Sequence, residues 1–105
     1  MLRSLGQRRP VTGSEDDPRV TGLSTAVSRL RRELAALPAE FPDRAIAEDE
    51  LAALAAMVTH GVPEVPRLRG SLLLIAGAIG SVSALAGGLS DVRHAVELFG
   101  EPPRR

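Results

Sequence analysis

Apolar positions Val20, Leu23, Val27, Leu30, Leu34 and Leu37 are spaced 3, 4, 3, 4 and 3 residues apart. That spacing follows the helical period and predicts one apolar stripe, with Arg29, Arg31, Arg32 and Glu33 lying off it. Asp17 before Pro18 suits an N-cap followed by proline at the first helical position, with Thr21 as a later alternative start. Pro38 ends the helix. A second stripe follows: Ala47, Leu51, Leu54 and Val58, spaced 4, 3 and 4, with Ile46 and Met57 beside it. Pro42 opens this second helix, with Asp43 in its first turn. The acids Glu48, Asp49 and Glu50 lie towards its start and His60 at its end, an order that suits the helix dipole. Gly61 is the expected C-cap.

The pattern then changes. Gly70 to Ser90 is a run of 21 residues without a charge, entered through Pro66, Arg67 and Arg69. As one helix, Leu74, Ile75, Ala78, Ile79, Val82, Leu85, Ala86 and Leu89 share a face, and Gly77, Gly80, Ala84 and Gly87 lie opposite. Gly87–Gly88 is the expected break, since each glycine costs about 1 kcal/mol relative to alanine inside a helix. Ser90 then N-caps a short last helix whose stripe is Val92, Val96 and Phe99, ended by Gly100 and Pro102–Pro103. The expected fold is all-α: a small helical bundle of three longer helices plus a short C-terminal one. Residues 1–18 and 101–105 are expected to be disordered tails, and 19–100 a single bundle domain.

At about 31 Å, a 21-residue helix approaches the roughly 30 Å of a bilayer core. Ala76, Gly80, Ala84 and Gly88 recur every four residues, a small-residue face suited to close helix packing. The alternative reading is therefore a small single-span membrane protein with its span at about 70–90. Three observations favour the bundle core. The run holds five Gly and four Ser, which erode the insertion energy of its eight strongly apolar residues, about −2 to −5 kcal/mol. Aromatic anchors are missing. The two upstream stripes also need a surface to cover, and this run supplies one. On that reading Ala84 is core, and Ala84→Arg would abolish folding.

Composition narrows the function. Ala and Leu contribute 15 residues each against two Phe and no Trp or Tyr, which favours helices with an aliphatic core. Thirteen basic and thirteen acidic residues balance, so the electrostatic footprint of a nucleic-acid binder is missing and no nucleic-acid partner is expected. Every basic residue is Arg, which reads as coding bias. With no Cys, disulfides and thiolate sites are excluded. No apolar segment follows the basic N-terminus, so no signal peptide is expected. A cytoplasmic location is expected, with the inner membrane as the alternative.

Candidate chemistry is sparse. His60 and His94 are the only imidazoles, read as capping or surface residues. Ser81 and Ser83 lack the strand–turn–helix setting of an activated serine. Glu48, Asp49 and Glu50 have no Glu-x-x-His partner for a bundle metal site. The glycines of the run lack a phosphate-loop ending. No enzyme activity, cofactor or metal is expected. The expected role is a helical interaction or adaptor module with a protein partner or a second copy, a membrane being the less favoured partner. Leu23, Val27, Leu30 and Leu34, or Val92, Val96 and Phe99, are the candidate contact stripes.

The segments S-R-L-R-R-E-L-A-A-L-P-A-E-F-P-D-R-A (28–45), E-D-E-L-A-A-L (48–54), P-R-L-R-G-S-L-L-L-I-A-G-A-I-G (66–80) and H-A-V-E-L-F-G (94–100) resemble small uncharacterised proteins of actinobacteria grouped as a domain of unknown function. The resemblance implies an actinobacterial source and a small helical protein, and it carries over no site residue.

Overall fold

The computed structural model describes residues 17–38, 40–60 and 63–100, all helix or short connection with no strand among them. Helix α1 spans Pro18–Ala36, α2 Arg44–Thr59, α3 Val65–Ile79 and α4 Ala86–Gly100, with a 3-10 turn at Ser83–Leu85 before α4. Of the tails expected at 1–18 and 101–105, residues 1–16 and 101–105 lie outside the described residues, as does the Gly61 cap, while Asp17 and Pro18 are corrected to the cap and first residue of α1.

Local chemistry sets the helix ends. Asp17 caps α1, its Oδ1 accepting the Arg19 backbone N–H at 2.9 Å, with Pro18 in the first turn. α1 stops where Leu37 turns extended (φ −75°, ψ 120°), because the proline ring at 38 disfavours helical geometry in the residue before it. The last carbonyls of α1 are also held from α2, beyond the Leu37 N–H that Leu34 O accepts at 3.2 Å. Arg44 donates from Nη2 to the Leu34 oxygen at 2.6 Å and from Nη1 to the Leu37 oxygen at 2.9 Å, while its Nε reaches Glu48 at 3.2 Å.

The four helices form a ring in which every substantial contact joins neighbours: α1 with α2, α2 with α3, α3 with α4 and α4 with α1. Short connections make such neighbours antiparallel. The contacts agree. The Arg19 guanidinium stacks 5.0 Å from the Phe99 ring centroid, and Arg29 pairs with Asp91 at 3.3 Å, so rising numbers on α1 meet falling numbers on α4. Between α2 and α3, the Ser71 hydroxyl donates to Glu50 Oε1 at 2.9 Å. Ser71 is a buried polar residue, and this bond satisfies it.

One core runs through all four helices. The α2 stripe Ala47, Leu51, Leu54 and Val58 is buried as its spacing predicts, as are Val20, Leu23, Val27, Leu30 and Leu34 of α1. The charge-free run behaves differently from expectation. It is not one helix that the others wrap but a helical hairpin. α3 ends at Ile79, Gly80 donates back to Ala76 O at 2.8 Å, Val82 turns extended, and Leu85 of the 3-10 turn is buried.

The expected break at Gly87–Gly88 and the Ser90 cap are both corrected, since all three residues lie inside α4. Packing overrides propensity here. A Cβ at Gly88 would meet the Glu33 carboxylate and lie 2.9 Å from Leu30 Cδ1, so glycine is what lets α4 approach α1 at this rung. The break falls instead at Gly80–Val82, where the chain must turn for Leu85 to enter the core. The split leaves α3 about 22 Å long, short of a bilayer. Among the described residues no helix is long and apolar enough to cross a membrane, which removes the support for a span at 70–90.

Candidate interaction surface

The expected contact stripes do not reach the surface. Leu23, Val27, Leu30 and Leu34 on α1 and Val92, Val96 and Phe99 on α4 are all buried in the shared core. α1 and α4 are ring neighbours, so each stripe is covered by its own chain. The small residues separate too. Gly88 is buried against α1, Ala76 is half-buried on α3, and Gly80 and Ala84 are exposed at the turn. The turn between α3 and α4 divides them, so they do not form one packing face.

The exposed apolar surface lies elsewhere. Leu73 is 74% exposed, Leu74 51% and Ile46 46%. Leu73 and Leu74 sit on α3 and Ile46 on α2, and they line one shallow groove with Gly77, Ala78 and Asp43. α3 is held beside α2 by the Ser71–Glu50 bond and by burial of Leu68, Ile75 and Ile79. That register turns Leu73 outwards. Gly70 and Gly77 flank it, and a Cβ at either would meet nothing within 4 Å.

The family model for "Family of unknown function (DUF5955)" matches residues 12–100, a span that contains every described helix. The chain belongs to this family. Neither the curated proteins nor the solved structures gave a match. Membership in DUF5955 therefore brings no assigned chemistry with it, and the surface has to be read from its own residues.

Charge is arranged at the ends of the α2–α3 face. Asp43 closes the groove at one end. At the other, Arg67 and Glu64 share a second shallow depression with His60, Met57 and Ala53. Between Arg69 and Asp91 the chain carries no charge, so the outer wall of α3 beyond Arg69 is uncharged to its end. Asp17 is lowered from 3.8, first by the side-chain hydrogen bond from Arg19 and then by the Arg19 backbone N–H.

Among the described residues, the polar groups singled out in the sequence stand at separate places on the helices and the turn. His60 is exposed at the end of α2, and its Nδ1 donates to the Ala56 carbonyl at 2.6 Å. His94 is exposed on α4, and Ser81 and Ser83 are exposed at the turn. Glu48 pairs with Arg44 and Glu50 with Ser71. Among the described residues no group of three or more His, Asp or Glu is placed to hold a metal ion.

What this surface offers is apolar contact area framed by charge. A signal for it exists in the sequence. Leu72, Leu73, Leu74 and Ile75 are four consecutive large apolar residues, and a helix that packs through one face cannot bury four in a row.

Proposed function

We propose that the protein is a non-enzymatic helical interaction module that binds a protein partner through the outer face of α2 and α3. The observation that carries this reading is Leu73. It is a large aliphatic side chain, 74% exposed, next to Leu74 and Ile46 in one groove. Single exposed leucines are ordinary, and Leu98 on α4 is such a case. Three large apolar side chains lining one groove on an uncharged wall are a contact surface. The stripes first expected to serve this role are occupied by the fold, which leaves this face as the place where a partner gains contact area.

The test is site-specific photo-crosslinking in the native cell. A photoreactive residue at position 73 is expected to yield protein adducts, whether with another chain or with a second copy. The same residue at Ser28, exposed on α1, serves as the control. Equal adduct yields at the two positions would overturn the reading.

A further inference from the structure

The occupant of this face can be specified further. Resting on the reading above, we infer that the partner is a second copy of the same chain, joined by an antiparallel crossing of two α3 helices on a two-fold axis between Leu73 and Leu74.

The pattern on α3 is self-complementary. Gly70, Leu73, Leu74 and Gly77 read G-x-x-L-L-x-x-G, the same in both directions about a point midway between the leucines. A two-fold interface brings residue i of one copy to residue j of the other and j to i. Turned about that midpoint, the Leu73–Leu74 pair of each copy meets the same pair of the other, Leu73 over Leu73, and Gly70 of each meets Gly77 of the other. Both leucines are exposed, and open space surrounds the Cβ position of both glycines. The leucines supply the contact, and the glycines let the second backbone come close.

Charge supports the same operator. Arg67 lies about 10 Å from the axis towards the start of α3. Asp43 lies beside Gly77 and Ala78, towards its end. Both are on the α2 side of α3, since Arg67 shares its depression with Ala53, Met57 and His60. A two-fold axis lying in the interface and perpendicular to α3 reverses the helix but keeps that side. The Arg67 end of each α3, where Glu64 stands beside the arginine, therefore comes over the Asp43 end of the other, twice by symmetry. The net charge of zero removes overall repulsion between copies.

The test uses the full chain. Sedimentation equilibrium is expected to give a mass that rises with concentration towards twice the 11.1 kDa of one chain. Leu73→Arg, an exposed substitution, is expected to stay at one chain mass while keeping its helical circular dichroism. Because the chain has no cysteine, single cysteines report contacts cleanly. Leu73→Cys is expected to form disulfide dimers at least tenfold faster than Ser28→Cys. Asp43→Arg and Arg67→Asp are each expected to weaken the dimer, and the two together to restore it.

A mass of one chain at every concentration, with equal crosslinking at 73 and 28, would overturn the inference. So would a dimer that survives Leu73→Arg. If the chain is a monomer yet position 73 still gives photo-adducts with another protein, self-association fails and the interaction reading stands. If neither adducts nor dimers form through position 73, both fail.

Discussion

The α1–α4 pair and the α2–α3 pair are built from the same aliphatic residues but finish their surfaces differently. Between α1 and α4 the seam is closed from both sides. Leu23, Leu30 and Val96 fill the interior, Gly88 brings the backbones together under Glu33, and Arg19–Phe99 and Arg29–Asp91 tie the two helices along their length. Large apolar side chains here lie inside, with Leu98 the lone exception. Between α2 and α3 the interior is equally full, and one internal bond, Ser71 to Glu50, sets the register. Yet that register leaves Leu73, Leu74 and Ile46 outside. One pair is arranged to hold the bundle shut, the other to hold it together while presenting a face.

The contrast can be broken by substitution. The largest effect is expected at Leu30, fully buried beside Gly88. Leu30→Ala should cost about 2–5 kcal/mol in urea unfolding, through lost burial and a cavity. A loss below that of an ordinary surface change would mean that the α1–α4 seam is not closed as described.

Arg44 comes next, because it reaches the carbonyls of both Leu34 and Leu37. Arg44→Ala should cost about 1–3 kcal/mol, because the Leu37 carbonyl loses its side-chain donor and the Leu34 carbonyl keeps only the Leu37 N–H. Amide exchange should quicken in the last turn of α1 first.

The glycine pair in α4 gives effects of two signs. Gly88→Ala must push Leu30 and Glu33 aside and should destabilise by about 1–3 kcal/mol. Gly87→Ala faces open space and should stabilise by about 0.5–1 kcal/mol, because alanine is the better helix former. Equal effects at the two positions would contradict a helix that continues through both.

The smallest effect concerns Asp17. Its carboxyl is held below 3.8 by Arg19. A lowered folded-state value means that its contribution is complete above the ordinary carboxylate range and is lost as pH falls through the lowered value. An NMR titration of the Arg19 and Val20 amides should therefore have its midpoint below 3.8. A midpoint at or above that value would show that the cap does not form.

The amphipathic parts of the fold were legible in the sequence. The stripes on α1 and α2 are flanked by charged residues, so periodicity alone separates inside from outside. Asp17–Pro18 and Pro66 mark starts and Pro38 a stop for reasons that need no tertiary structure. The charge-free run resisted reading because it lacks a polar face. With nothing to mark solvent, Leu74 and Ala84 were expected inside and lie outside. Glycine propensity pointed to Gly87–Gly88 as the break, whereas the close approach of α4 to α1 keeps those residues helical. Ala84→Arg, forbidden if the run were core, is now expected to change stability by no more than about 0.5 kcal/mol, as at other exposed sites. The candidate surface was misplaced for a related reason. Strong stripes attract attention, but a strong stripe is what a small fold uses to build its own core, and the surface lies where apolar residues exceed what one helix face can bury.

The most direct test of the division between the two helix pairs is the melting temperature measured against protein concentration for the native chain and for Leu73→Arg. Association through α3, as proposed, would stabilise the folded state by mass action. The native melting temperature should therefore rise with concentration, that of Leu73→Arg should stay flat, and the two should converge on dilution. A variant that melts lower than the native chain at every concentration would place Leu73 in the fold itself, and two flat, coincident curves would remove the second copy from the α2–α3 face.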